Sequence, residues 1–253
     1  MSGHSKWAQI KRQKGVADIK RGQAFTKLAR AISIAVREGG GVGDPESNFK
    51  LRLAIDKARS LNMPKENINR AIERGKGTGE KGVGFEEVIY EGFGPSGTAL
   101  IIEAVTDNRL RTTSEVKNVL DKNGGSLGIP GSVSYLFSQK GLVTVDKDGK
   151  NFDDIFLIAL DTGAEDLEDV GSQVLVYTDP VDLNRVREAL VVQGLNVPEA
   201  ELIRKSQNTI PISDKEFAKK ILSLMEKIED LDDVQKVYSN FDIPDQLLKD
   251  IEV

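Results

Sequence analysis

The 253-residue sequence contains no cysteine, and it has only one histidine (His4) and one tryptophan (Trp7). The absence of cysteine excludes disulfide bonds, thiolate nucleophiles and thiolate zinc sites. With a single histidine, the chain also lacks a histidine-based triad and the usual zinc ligand sets. We therefore expect a protein that is not an enzyme and that holds no metal and no cofactor.

Long apolar runs are also absent. The longest, Ile155–Leu160, has six residues, whereas a membrane span needs about 20. The N-terminus has no apolar core of a signal peptide, although Arg12, Arg21 and Arg30 leave an organellar transit peptide as a less favoured reading. We expect a soluble, cytoplasmic and monomeric protein with no membrane partner, and its length favours two or three domains.

The net charge of −5 conceals an uneven distribution of charge along the chain. Residues 1–76 hold 17 Lys and Arg against 7 Asp and Glu, a net charge of +10, and the remaining residues hold 18 against 33, a net charge of −15. Such asymmetry is typical of a polyanion-binding region attached to an acidic body. The alternative is two solvated surfaces of opposite sign that attract each other.

Helical periodicity predicts a bundle of three helices in residues 1–76. Apolar residues recur every three or four positions in three segments: Phe25–Val36, Leu51–Leu61 and Ile68–Ile72. The sequence DPES at residues 44–47 is expected to open the second helix, and Pro64 fits the first turn of the third.

A glycine-rich segment, Gly75–Gly84, follows the bundle with five glycines in ten residues. We interpret it as a flexible linker and a domain boundary. We reject a phosphate-binding loop, because the Walker spacing is absent and no helix begins directly after the segment.

Beyond the linker, predicted strands and helices alternate. Residues 141–206 have the order β-α-β-β-α-β, which is the ferredoxin-like order of an antiparallel sheet under two helices. The flanking residues supply two further β-α-β halves, with strands predicted at 99–105, 132–137, near 210 and at 234–239, and helices at 110–122 and 215–228.

The predicted fold class is therefore α+β: an N-terminal three-helix bundle plus two ferredoxin-like α/β sandwich domains, one inserted in the other. The basic tail and bundle occupy residues 1–76. The discontinuous middle domain comprises residues 77–139 and 207–253, and the inserted domain comprises residues 140–206.

Carboxylates occur in three clusters beyond the linker: Asp153 and Asp154; Glu165, Asp166, Glu168 and Asp169; and Glu229, Asp230, Asp232 and Asp233. Each cluster lies at a predicted helix start or in a loop between a helix and a strand. We interpret them as solvated or helix-capping charge, with a magnesium site as the less favoured alternative.

The first thirty residues hold eight basic side chains and one acidic one, which is typical of a segment that binds nucleic acid phosphates. Trp7 lies among these cations. Its ring either stacks on an unpaired base or anchors the tail to the bundle, and the sequence leaves both alternatives open.

The second and third helices, joined at Leu61–Pro64, resemble a helix-turn-helix in outline, which supports duplex DNA as an alternative target. A recognition helix of this kind would present Lys65, Asn67, Asn69 and Arg70. The acidic residues Glu66 and Glu73 weaken this alternative, because they reduce the positive charge of the helix.

Several longer motifs closely resemble the YebC/PmpR family. They are SGHSKWAQIK and KRGQAFTKL near the N-terminus, YEGFGPSG (90–97), TDNRLRT (106–112), GGSLGIPGSV (124–133), QNT (207–209) and LDDVQKVYSNF (231–241). The resemblance implies a three-domain cytoplasmic protein without catalytic residues. It further implies either a DNA-binding transcriptional regulator, the conventional description, or a ribosome-associated factor that helps translation through proline-rich stretches.

The family motifs place candidate functional residues at three points of the chain. The N-terminal signature falls on Gly3, His4, Ser5, Lys6 and Trp7, the polar helix start on Asp107, Asn108, Arg109, Arg111 and Thr112, and the glycine loop on Gly124, Gly125, Leu127, Gly128, Gly131 and Ser132. The chain departs from the common family pattern in two places: Arg12-Gln13-Lys14 stands where many members have His-Arg-Lys, and Leu110 stands where many have Asn.

The physical reading of these motifs leaves two alternatives open. The glycine loop can bring its backbone close to an RNA or peptide, or it can be a tight connection between a helix and a strand. Arg109 and Arg111 can bind phosphate or pair with nearby carboxylates.

The predicted nucleic-acid-binding residues are His4, Lys6, Trp7, Lys11, Arg12, Lys14, Lys20, Arg21, Lys27, Arg30, Arg109 and Arg111. The predicted functional loop comprises Gly124, Gly125, Leu127, Gly128, Gly131 and Ser132. We expect a non-enzymatic regulator of gene expression that binds ribosomal RNA on the ribosome, with a duplex-DNA-binding transcription regulator as the alternative.

Overall fold

The structure, a computed structural model, describes residue 7, residues 19–77 and residues 84–251. Two compact units are present: Phe137–Lys205 form the first, which we call the inserted unit, and the described residues before 137 and after 205 form the second. Helices and antiparallel sheets occur together, so the predicted α+β class is confirmed. Among the helices in these ranges, none combines the length and apolar composition needed to cross a membrane.

From residue 19 onward, the second unit contains three successive helices: α1 (Ile19–Glu38), α2 (Phe49–Ser60) and α3 (Lys65–Gly75). Helix α2 starts after Asn48 and not within the DPES segment, because the buried Asn48 side chain is its N-cap. The Asn48 Oδ1 atom accepts a hydrogen bond from the Leu51 amide at 3.0 Å, and its Nδ2 atom donates to the Ala35 carbonyl at 2.8 Å. One side chain thus caps α2 and ties it to α1.

Apolar residues at helical spacing form the core of this bundle. Its buried members include Ile32, Val36, Leu51, Ile55, Ala58 and Ile68. Helix α3 packs closely on α1: a Cβ atom at Gly75 would lie only 2.6 Å from the Ser33 carbonyl oxygen, and the Ser33 hydroxyl donates to the Ala71 carbonyl at 2.8 Å. The periodicity of the sequence therefore placed the core of the bundle correctly.

The rest of the second unit is a four-stranded sheet with helices on one face. Its elements before the inserted unit are β1 (Glu86–Phe93), β2 (Ala99–Thr106), α4 (Arg109–Lys122) and β3 (Ser126–Leu127). Its elements after the inserted unit are β8 (Ile210–Pro211), α7 (Lys215–Glu229), β9 (Val234–Ser239), β10 (Phe241–Asp242) and α8 (Asp245–Ile251). A core cluster joins Leu100 and Ile102 of β2, Val116 and Leu120 of α4, and Leu224 and Met225 of α7.

The strand order of this sheet is β3-β1-β2-β9, with antiparallel pairs throughout. This is the spatial order of a ferredoxin-like sheet, since β1 separates β2 and β3, which α4 connects. The chain order differs from the prediction in one respect. Strand β1 occupies the place of the third ferredoxin-like strand and precedes β2 in the chain, whereas the strand predicted for that place lies near residue 210, after α4. The short strand β8 pairs instead with β10 in a separate parallel ladder.

The strand predicted at residues 132–137 was wrong. Residues Ser134–Leu136 form a 3₁₀ turn, and the next strand, β4 (Phe137–Asp146), begins only after it. The alternation of Val133, Tyr135 and Phe137 is typical of a strand, but the amides of residues 131, 133 and 134 donate to a side chain and not to a neighbouring strand. Strand β1 was not predicted.

The inserted unit contains β4 (Phe137–Asp146), α5 (Phe152–Thr162), β5 (Asp166–Asp169), β6 (Gln173–Thr178), α6 (Leu183–Val192) and β7 (Asn196–Ser206). Its strand order is β5-β6-β4-β7. Strand β6 pairs with both β4 and β5 in the antiparallel sense. The ferredoxin-like arrangement predicted for this segment is confirmed.

Candidate nucleic-acid interface

Two predicted nucleic-acid contacts, Lys27 and Arg30, lie together with Arg37 on one face of α1. We call this face the inner face and define it as these three residues. The spacing of three and seven residues places these side chains on the same side of the helix. The buried Ile34 lies between them. This face is turned toward the sheet part of the second unit, and each of its cations donates to a group there.

The C-terminal end of α7 and the residues just after it accept hydrogen bonds from two of these cations. The Lys27 ammonium donates to the Glu229 carbonyl. The Arg30 guanidinium donates to the Asp232 carbonyl at 2.6 Å and to the Asp233 carboxylate at 2.7 Å. Arg37 donates to the Phe85 carbonyl. The cations of the inner face therefore join the bundle to the sheet.

Asp233 is the acceptor at the centre of this junction. Its side chain is 2% exposed. Its Oδ2 atom accepts from Arg111 at 2.7 Å, from the Thr112 hydroxyl at 2.6 Å and from the Thr106 hydroxyl at 3.0 Å. Burial alone raises the pKa of Asp233, but the hydrogen bonds from Arg111, Thr112 and Thr106 outweigh it, so the pKa is lowered below its ordinary value.

The two arginines of the TDNRLRT motif have different surroundings. Arg111 pairs with Asp107 at 2.9 Å as well as with Asp233. Asn108 caps α4 by accepting from the Arg111 amide at 3.1 Å. The Arg109 side chain, in contrast, is exposed and makes no hydrogen bond or ion pair with any described residue. Arg111 thus pairs with carboxylates, while Arg109 is available to a partner.

Asp233 was interpreted from the sequence as solvated charge, and this interpretation is wrong. The residue is buried because its partners come from α1, β2 and α4, which are distant in the sequence. A sequence signal was present: Asp233 lies in one quoted family motif and Thr106, Arg111 and Thr112 lie in another.

A second buried carboxylate, Glu91 of β1, organises the glycine loop. It is 7% exposed. It accepts hydrogen bonds from the amides of Gly131 at 2.7 Å, Val133 at 2.7 Å and Ser134 at 2.8 Å. Burial raises the pKa of Glu91, and the three backbone N–H groups more than compensate, so the net shift is downward. Glu91 was not among the residues singled out from the sequence.

At several positions of the glycine loop, the backbone conformation or a close backbone contact requires glycine. Gly124 and Gly131 have φ angles of 76° and 91°, in the left-handed region that favours glycine. A Cβ atom at Gly125 would lie 2.5 Å from the Phe93 carbonyl oxygen. Between these fixed ends Leu127 packs against the core and Gly128 is half-buried, and Ser132, just after Gly131, is also half-buried.

The tip of the glycine loop is exposed. Ile129 is 77% exposed and Tyr135, just beyond the loop, is 70% exposed. The loop therefore combines a backbone held by a buried carboxylate with an apolar tip directed to solvent.

Most of the predicted tail contacts cannot be placed. His4, Lys6, Lys11, Arg12 and Lys14 lie outside the described residues, as do the side chains of Lys20 and Arg21. Trp7 is described: it is 2% exposed and belongs to the core cluster of the sheet part of the second unit. This position corresponds to an anchor, although on the sheet part and not on the bundle, and it leaves no ring face open for a base. Within the described ranges, no cluster of three or more potential metal ligands occurs.

Two family models match the chain. The model described as TACO1/YebC protein N-terminal domain matches residues 5–78, and the model described as TACO1/YebC second and third domain matches residues 85–241. Together they span both units of the structure.

Similar proteins come from several bacteria. A "Probable transcriptional regulatory protein" of Roseiflexus castenholzii is 54% identical over 250 residues, covering 98% of this chain and 97% of its own length. A protein of the same name from Halothermothrix orenii is 49% identical over 253 residues and covers 99% of both chains. The crystal structure of the conserved hypothetical protein Aq1575 from Aquifex aeolicus matches with a TM-score of 0.83 at 44% identity, over 90% of this chain and 93% of that chain.

Proposed function

Because the chain belongs to the TACO1/YebC family, we propose that it is a non-enzymatic regulator of gene expression that acts by binding nucleic acid. The names of its relatives support a regulatory role. The finer proposal is that it binds ribosomal RNA on the ribosome and assists the translation of proline-rich stretches, as the resemblance to the YebC/PmpR family implies.

The glycine loop carries the ribosomal proposal. Three amide hydrogen bonds to the buried Glu91 fix the backbone of the loop, while Ile129 at its tip stays exposed. A segment that is ordered before binding loses little conformational entropy when it enters a crowded site. Such a loop suits insertion into a preformed RNA or protein cavity better than contact with a flat duplex surface.

In this proposal the RNA contacts come from Arg109 and from the basic residues of the tail. Arg109 is exposed in the same unit as the glycine loop, and the tail residues Lys6, Lys11, Arg12 and Lys14 add charge near the N-terminus. Lys27, Arg30 and Arg111 have a smaller part in this proposal, because their donors already bind groups of the chain.

A second candidate function is transcription regulation through duplex DNA. The exposure of Lys65, Asn69 and Arg70 on α3 favours it, since these side chains lie in the first turns of the helix that a helix-turn-helix would place in the major groove.

Ribosome cosedimentation run beside a duplex-binding assay separates the two functions. We expect the chain to sediment with ribosomes at about 0.15 M salt and to bind duplexes without sequence preference. No ribosome binding, together with a preference of about a thousandfold for one duplex over scrambled sequence, would establish the transcriptional alternative instead.

A further inference from the structure

A groove of about 210 Å³ lies between α1 and α3. Its apolar lining includes Phe25 and Met63, and its polar lining comes from Thr26, Asn67, Arg70 and Arg74. No carboxylate is among the described residues that line it. We call this feature the α1–α3 groove. It combines an apolar floor with two guanidinium groups.

The cations of the α1–α3 groove form no ion pair with any described residue. Arg70 donates to the Asn67 Oδ1 atom at 2.9 Å, a neutral acceptor, and Arg74 makes no hydrogen bond or ion pair with any described residue. The neighbouring acid Glu73 pairs with Lys76 at 2.8 Å. The guanidinium of Arg74, the other donors of Arg70 and the Nδ2 donors of Asn67 therefore remain available to an anion from outside.

We propose that the α1–α3 groove binds a single-stranded segment of RNA, with Arg70 and Arg74 on successive phosphates and the apolar floor beneath a sugar or base. This inference rests on the proposed function and names the surface that serves it. The planar guanidinium matches phosphate geometry in a way that suits backbone recognition. An unpaired strand also offers the apolar base faces that a floor containing Phe25 and Met63 can accept.

The size of the groove favours a polymer over a metabolite. Its volume of about 210 Å³ is below the roughly 300 Å³ at which small-molecule pockets begin. A short stretch of a longer chain needs no enclosure, because flanking contacts share the binding energy. A duplex is disfavoured because its phosphates lie on a wide convex surface, which reaches the rim of a groove between two helices but not its floor.

The test is fluorescence anisotropy with a labelled, mixed-sequence RNA of about 12 nucleotides, within the usual site size of about 4–16. The variant is Arg70→Gln with Arg74→Gln. The matched control is Lys57→Gln with Arg59→Gln, which removes two exposed positive charges of α2. Thermal unfolding of each variant confirms that the fold is retained.

We expect the groove variant to lose at least about tenfold in RNA affinity and its log–log salt dependence to become flatter by about 1.4, at about 0.7 per phosphate for single strands. The control should stay within about twofold of wild type, since its charges lie outside the groove. Crosslinking with 4-thiouridine-substituted RNA should label peptides containing Phe25 or Met63.

Three results would overturn the inference. Equal losses in the groove and control variants would show a general electrostatic field, and an unchanged groove variant would exclude the groove as the contact. If an unlabelled duplex of the same length competed with the labelled RNA as well as a single strand does, the α1–α3 groove would not select single-stranded RNA. A different result would contradict the proposed function itself: a wild-type protein that binds neither the RNA nor the ribosome.

Discussion

The inner face of α1 and the α1–α3 groove both carry arginine, but they differ in what surrounds it. Arg30 on the inner face meets the buried carboxylate of Asp233, whereas Arg74 in the groove meets no carboxylate in the described residues. The comparison teaches that a count of basic residues overstates the charge available to a polyanion. Some of the excess positive charge in the first 76 residues, such as Arg30, binds the bundle to the acidic sheet part. Other basic residues, such as Arg74, keep their donors available to a partner.

The largest effect is expected when the Asp233 carboxylate, which joins the bundle to the sheet part, loses its charge. We expect Asp233→Asn to lower the free energy of unfolding by about 3–5 kcal/mol, because Arg30 and Arg111 lose their buried partner. Urea denaturation measures the change. Asp232→Asn is the matched control, since this exposed side chain should change stability by less than about 0.5 kcal/mol. Equal effects at the two positions would contradict the special role of Asp233.

The second prediction compares the effect on stability of removing each of the two arginines, Arg30 and Arg74. Arg30→Gln should lower the free energy of unfolding by about 1.5–3 kcal/mol, because Arg30 is only 16% exposed and donates to Asp233. This is the usual contribution of hydrogen bonds to charged groups. Arg74→Gln should alter the free energy of unfolding by less than about 0.5 kcal/mol. Chemical denaturation of both single variants tests the contrast, and a larger stability loss for Arg74→Gln would reverse it.

A third prediction concerns the other buried carboxylate. Glu91→Gln should cost about 1–3 kcal/mol and should speed amide hydrogen exchange at Gly131, Val133 and Ser134, because three N–H groups lose a charged acceptor. Exchange followed by mass spectrometry or NMR measures it. Glu86→Gln, an exposed position on the same strand, is the control. Unchanged exchange in the Glu91 variant would mean that the loop is held by other contacts.

The smallest expected effect is a dependence on pH. The folded pKa of Asp233 is lowered, so the stability it contributes is fully present above its unfolded pKa of about 3.9 and is lost as the pH falls through its folded pKa. The stability gap between wild type and Asp233→Asn should therefore narrow as the pH falls below about 4. A gap that widens in acid would contradict the downward shift.

Local patterns explain why much of the fold was predictable. The bundle follows from the spacing of Ile32, Val36, Leu51 and Ile55, and the inserted unit follows from strands and helices whose periodicity is clear. Strand β1 escaped prediction because Glu86, Glu87, Glu91 and Gly92 give it the composition of a loop. Its role as the third strand depends on pairing with β2 and β3, which no local pattern shows.

The candidate site was less predictable for the same reason. Whether Arg30 and Arg111 are available depends on Asp233, which lies more than a hundred positions away from both in the chain. Sequence composition correctly located the basic region but could not divide it into used and unused cations. Trp7 shows the same limit, since only its packing partners decide between an anchor and a stacking platform.

The salt dependence of RNA affinity, measured for Arg30→Gln and for the Arg70→Gln, Arg74→Gln pair, tests the central claim most directly. The account predicts a slope that flattens by about 1.4 in the groove pair and stays at the wild-type value in Arg30→Gln, because the groove arginines neutralise phosphates whereas Arg30 is held by Asp233. A flatter slope in Arg30→Gln with no change in the groove pair would contradict it.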